Sequence, residues 1–183
     1  MKIVFSGTHG TGKTTLLNVL KNQTSLINSY EFITEVSRTL QKEGKVRINE
    51  NGDDQSQYAI ALKNYEIYSS YKNFISDRSL LDVMCYTKYL YDHKRCSKKC
   101  LIFIEQLFKQ CNYDIIFYIE PEFDLVTDGV RSSNIIFRDE VKNCFRYYIN
   151  KFNIKVIKIS GTIDERLKII KEEIKNHFIN LLK

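Results

Sequence analysis

Residues 7–14 read Gly7-Thr8-His9-Gly10-Thr11-Gly12-Lys13-Thr14, and no other stretch restricts the fold so tightly. The string satisfies G-x-x-x-x-G-K-[ST], a pattern with physical meaning only between a strand and a helix. Both flanks comply. Lys2–Ser6 is short and mostly apolar, and Thr14–Lys21 has helical spacing. Glycines let the backbone wind tightly and turn its N–H groups toward a single anion. The helix starting near Lys13 aims its positive end at the same place. Lys13 then brings a point charge to the β- and γ-phosphates of a nucleotide, and the Thr14 hydroxyl is a ligand for Mg²⁺. Gly7, Thr8, Gly10, Thr11, Gly12 and Thr15 complete the cradle. His9 reads as a loop residue that the pattern tolerates, with a phosphate contact as the alternative.

The rest of the chain repeats one rhythm: a short apolar run, then a long amphipathic stretch. Apolar runs lie at Tyr30–Thr34, at Phe74-Ile75, at Asp114–Glu120 and at Lys155–Ser160. Helical spacing lies between them, over Val36–Lys42, Gln55–Tyr71, Leu80–Tyr91, Leu101–Gln110, Asp139–Asn150 and Ile163–Lys183. In Gln55–Tyr71 the apolar face reads as Tyr58, Leu62, Tyr65, Ile67 and Tyr68. Strands separated by helices predict parallel pairing with right-handed crossovers. Strands apolar on both sides predict helices on both faces. The expected fold is therefore α/β: a three-layer nucleotide-binding fold with a five-stranded parallel sheet. No linker or repeat divides the 183 residues, so a single domain over 1–183 is expected. The hydrophobic fraction of 43% supplies enough apolar area for a core and excludes a disordered chain.

Ligands bind such sheets at the carboxyl ends of the strands. Glu35 follows the second run, and Asp77-Arg78-Ser79 follows the third. Asp77 reads as a second Mg²⁺ ligand or a base, and Arg78 as a planar clamp on the acceptor. Glu35 reads as a proton acceptor from a hydroxyl substrate, the alternative being a helix-start acid. Arg38, a turn later, faces the same cleft or solvent. Ser79-x-x-Asp82 reads as a capping box.

Gly7–Thr15 together with Phe74–Ser79 resembles the nucleoside and nucleotide kinase branch of phosphate-loop proteins. Phe74–Ser79 is similar to the strand-then-acidic-Arg motif of thymidylate and deoxyribonucleoside kinases, and Tyr86 stands where thymidylate kinases often place a tyrosine. With Ile33–Arg38, Asp128-Gly129-Val130-Arg131 and Ser160-Gly161-Thr162 added, the chain most resembles the small AAA-like kinase family. That family includes the ribosylnicotinamide kinase domain of NadR and phage proteins of similar build. The resemblance implies ATP and Mg²⁺ as cofactors and phosphoryl transfer to a nucleoside-like acceptor. It also implies a small lid over about 122–140 carrying Arg131 and Arg138, and places Arg166 near the adenine.

Other classes fit less well. A guanine-reading Asn-Lys-x-Asp is missing, and 183 residues leave little room for a motor's second domain. Glu120 after Ile115–Ile119 reads as the end of a buried strand rather than a metal-binding acid. His93, Cys96, Cys100 and Cys111 invite a zinc reading. The first three would lie along one side of one helix, whereas structural zinc takes cysteine pairs on tight turns, so buried thiols are the adopted reading. Five scattered cysteines with no secretory segment predict a cytoplasmic protein. No apolar run is long enough for a membrane span. The net charge of +6, with the basic run His93-Lys94-Arg95 and Lys98-Lys99, permits nucleic acid without requiring it. The expected activity is transfer of the γ-phosphate to a hydroxyl of a small nucleoside-like acceptor. The rivals are a nucleoside monophosphate kinase, a DNA kinase acting on a hydroxymethylated pyrimidine, and a nucleotide-binding module without chemistry.

Overall fold

The computed structural model describes residues 1–23, 29–121 and 134–181. In chain order the elements are β1 (Lys2–Ser6), α1 (Lys13–Gln23), β2 (Glu31–Ile33), α2 (Val36–Lys42), α3 (Asp54–Ser70) and β3 (Phe74–Asp77). There follow α4 (Leu80–Asp92), α5 (Lys98–Lys109), β4 (Ile115–Tyr118), α6 (Ile135–Lys151), β5 (Ile157–Lys158) and α7 (Ile163–Leu181). The strands form one sheet in the order β2-β3-β1-β4-β5, with every pair parallel. The expected five-stranded three-layer α/β fold is what the chain adopts.

Alternation along each strand builds the two outer layers. Val4, Phe74, Ile116 and Tyr118 point into a core shared with α2, α3, α4, α5 and α6. Ile3, Phe5, Ile75, Ile115 and Phe117 point the other way, onto α1 and α7. Both sets are nearly fully buried. Each large side chain contributes roughly 1.5–3 kcal/mol of burial free energy, which is why a parallel sheet tolerates no polar face. The register places Phe5 beside Asp77 on one side and Phe117 on the other, so the carboxyl ends of β1, β3 and β4 lie level. That leaves the loop after β1 facing the residues just after β3.

Three elements depart from the sequence expectation. α5 starts at Lys98, not Leu101, because the Ser97 side chain caps it by accepting from the Cys100 amide. α6 starts at Ile135, four residues before Asp139, because the Asn134 side chain accepts from the Phe137 amide. On α3 the buried face is Ser56, Gln57, Ile60, Ala61, Asn64 and Tyr68, while Leu62 is 50% exposed. Among the described residues, no helix is long and apolar enough to cross a membrane. All five cysteines are free thiols.

Candidate active site

The loop between β1 and α1 is shaped by glycines in a region closed to other residues. Gly7 has φ +141°, and a Cβ there would sit 2.2 Å from the Ile119 carbonyl oxygen. The loop therefore presses directly on the end of β4. Lys13 is 5% exposed and folds back over the loop, donating from Nζ to the Gly7 and Thr8 carbonyls and to Thr11 Oγ1 at 2.9 Å. Burial, followed by the neighbouring Arg78 charge, lowers its ammonium from 10.5 to about 7. An anion seated in the cradle would replace those carbonyls as its partner.

Thr14 Oγ1 donates to Asp77 Oδ2, which ties the start of α1 to the end of β3. The other carboxylate oxygen, Asp77 Oδ1, is buried with no hydrogen-bond partner among the described residues. Burial pushes the Asp77 carboxyl up, with Lys13 opposing. A buried carboxylate with an unspent oxygen next to a hydroxyl is an oxygen donor set of the kind Mg²⁺ takes. Thr14 and Asp77 thus fit the metal expected of them.

Arg78 connects the cradle to the rest of the site. Its φ of +98° is unusual for a side-chain-bearing residue and marks backbone held against its preference at the end of β3. Its Nε donates to Glu35 Oε1 at 3.0 Å, and its Nη1 to the Gly7 carbonyl at 2.9 Å and to Asp82 Oδ1 at 3.1 Å. The guanidinium also lies 5.4 Å from the Tyr86 ring centre. Asp82 does form the predicted capping box with Ser79, and it also accepts from the Gly7 amide at 3.2 Å. It pins the cradle as well as starting α4.

Glu35 stands at the N-cap position of α2 but makes no side-chain cap hydrogen bond. Its oxygens instead accept from Arg78, from Arg38 Nε at 2.9 Å and from Ser37 Oγ at 3.1 Å. Burial raises its carboxyl, but Arg78, Arg38 and Lys13 together outweigh that and hold it below 4.5. Glu35 and Arg78 line the cradle on one side and a second pocket on the other. That pocket is completed by Gln57, Asn64, Val83 and Tyr86.

A model of an AAA domain matches residues 2–166. The chain belongs to this AAA domain family. No curated protein matches it significantly. Among solved structures, deoxyadenosine kinase from M. mycoides with dCMP and dCDP superposes with a TM-score of 0.68 at 15% identity, covering 96% of this chain and all of that one. Thymidylate kinase from Candida albicans gives 0.67 at 20% identity, over 96% and 92%. NadR with NAD and AMP-PNP gives 0.69 at 16% identity, over 93% of this chain and 48% of NadR, so this AAA domain spans about half of that protein. At these identities the likeness is one of fold.

Within the AAA domain, Lys13, Thr14, Glu35, Asp77 and Arg78 converge on one cleft. His9 is more engaged than a tolerated loop residue. Its amide donates to the Tyr86 hydroxyl at 3.2 Å, and its ring stacks on Phe137 of α6 at 5.4 Å. Arg138 is buried in the first turn of α6, the residue after Phe137. Arg166 is buried too, and its Nη1 donates to the Thr11 carbonyl at 2.9 Å, bracing the cradle from α7. Arg131 and most of the expected lid lie outside the described residues. Sequence reasoning missed Gln57 and Asn64. Their signal was available: polar residues seven apart on α3, on the same face as Ile60.

Proposed function

We propose that this protein is an ATP- and Mg²⁺-dependent kinase that transfers the γ-phosphate to a hydroxyl of a nucleoside-like acceptor, working as one domain over residues 1–183. The observation that carries this reading is the placement of Glu35. It is an ionised, cation-flanked carboxylate shared by the phosphate cradle and a pocket lined in part by two amide side chains. The five free thiols suit a reducing, cytoplasmic setting.

The residues divide the work as follows. Gly7–Thr15 and Lys13 hold the triphosphate, and Thr14 and Asp77 would hold the magnesium ion. That ion, when bound, would supply positive charge against the phosphates. Glu35 orients the acceptor hydroxyl and takes its proton as the oxygen bonds to the γ-phosphorus and the bond to the β-phosphate oxygen breaks. A carboxylate held at low pKa is a weak base, which suits a loose transition state in which the proton leaves late. Arg78 and Arg38 keep Glu35 ionised and fixed. Gln57 Oε1 accepts from Thr87 and Asn64 is held by Tyr68 and the Ile60 carbonyl, so the two amides are fixed in place and Gln57 Nε2 is the group offered to the acceptor. Because Arg78 is already matched by Glu35 and Asp82, the pocket favours a neutral nucleoside over a monophosphate.

Labelled ATP offered to nucleosides, their monophosphates and hydroxymethylated DNA tests the reading. A labelled nucleoside is the expected product. Label only on monophosphates or on DNA, or on nothing despite tight ATP binding, would replace this reading with one of its rivals.

A further inference from the structure

Asp54, Cys96 and Cys100 bring a carboxylate oxygen and two sulfurs within 4.8 Å of one another. They come from separate pieces of chain. Asp54 is the first residue of α3, Cys96 lies in the turn between α4 and α5, and Cys100 is in the first turn of α5. Cys96 is 7% and Cys100 0% exposed, and Asp54 is half-buried. None of them belongs to the site described above.

Strung along one helix, His93, Cys96 and Cys100 would make poor zinc ligands. The structure removes that premise, since α4 ends at Asp92 and a turn carrying Cys96 precedes the Ser97 cap. It also changes the membership. His93 faces Glu140 at 2.8 Å, and Cys111 lies beside Tyr113, so both leave the set and Asp54 enters it.

We propose that Asp54, Cys96 and Cys100 form a binding site for a zinc-class divalent cation, with its fourth position left to water. Two thiolates and a carboxylate suit zinc and exclude Mg²⁺ or Ca²⁺, which take oxygen donors. Zinc–sulfur bonds of about 2.3 Å require tetrahedral donors roughly 3.8 Å apart. The present separations of up to 4.8 Å would have to shorten by about 1 Å on binding. The N-terminal ends of α3 and α5 converge here, and their positive poles favour the anionic ligands. The Ser97 amide already fixes the carboxylate, donating to Asp54 Oδ1 at 2.7 Å. Binding displaces two thiol protons, so affinity rises with pH. The ion would tie the start of α3, which carries Gln57 and Asn64, to the α4–α5 turn.

Titration of the reduced, chelator-treated full chain with Co²⁺ tests this. Expected is one equivalent bound, with a thiolate-to-cobalt charge-transfer band in the near ultraviolet. Cys96→Ser and Cys100→Ser should abolish the band, Asp54→Asn should weaken binding, and Cys111→Ser should leave it intact. No saturable band in the wild type, or a band that persists in both serine variants, overturns the site. Should either variant fail to fold, Zn²⁺ must slow alkylation of Cys96 and Cys100, mapped by peptide, in the wild type. Equal rates with and without zinc overturn it.

Discussion

Glu35 spends both carboxylate oxygens on arginine side chains, and that pairing sets its chemistry. Its folded pKa is depressed below 4.5. Its contribution to stability is therefore present above about 4.5 and is lost as pH falls through the folded value. It remains ionised across the working range, so kcat/KM should show no acid limb from Glu35 above that value. Glu35→Gln keeps the size and one acceptor but removes the base. The expected loss in kcat is about 10²–10⁴-fold, with little change in KM for ATP, read from initial rates. Lys13 is also lowered, so its effect on stability has the same sign, but it reflects a burial penalty on the charged form rather than a gain from pairing. Well below about pH 7 both folded and unfolded chains carry its proton, and the burial penalty is full. Between about 7 and 10.5 the unfolded chain holds more protons, so stability rises with pH. Lys13→Met should abolish turnover, and denaturant unfolding at pH 7 and pH 9 should show the wild type gaining stability relative to the variant. The type and order of Lys13, Thr14 and Asp77 were legible in the sequence, because their roles follow from local spacing. The pairing of Glu35 with Arg78 was not, since 43 residues separate them and only the β2–β3 register brings them together.

At the scale of elements, the turn after β1 and the turn after β3 are one structure. The Arg78 guanidinium and the Asp82 carboxylate grip the carbonyl and amide of Gly7, and the Ser6 and Ser79 hydroxyls meet at 2.7 Å beneath them. A methyl group at Gly7 would collide with the backbone of Ile119, which cannot rotate away. Gly7→Ala should therefore cost more than the roughly 1–3 kcal/mol of strained backbone alone. The readout is a fall in Tm of about 2–4 °C per kcal/mol, together with lost ATP binding. Helix starts were the least legible feature. Apolar periodicity announces α5 only at Leu101 and α6 only near Asp139, whereas the caps Ser97 and Asn134 start them at Lys98 and Ile135, three and four residues earlier. Ile135 and Ile136 are 57% and 70% exposed, so they carry no inward-facing pattern to read.

At the scale of the molecule, the site draws on both helical layers. α1 and α7 supply Lys13, Thr14 and Arg166 from one face, and α3, α4 and α6 supply the pocket and the His9 contacts from the other. A nucleotide bridging these layers stabilises all of them at once. MgATP at a hundredfold excess over Kd should add about 2.7 kcal/mol, a rise in Tm of roughly 5–10 °C, and Lys13→Met should remove the shift. The sequence by itself determined the parallel α/β layering and the phosphate cradle, because strand alternation and the spacing of residues 7–14 are short-range properties of the chain. The pocket beside Glu35, the lowering of the Glu35 carboxyl and the meeting of Asp54 with two thiols came only from the packing. Those depend on packing between distant segments, where burial and neighbouring charge, not spacing, set what a side chain can do.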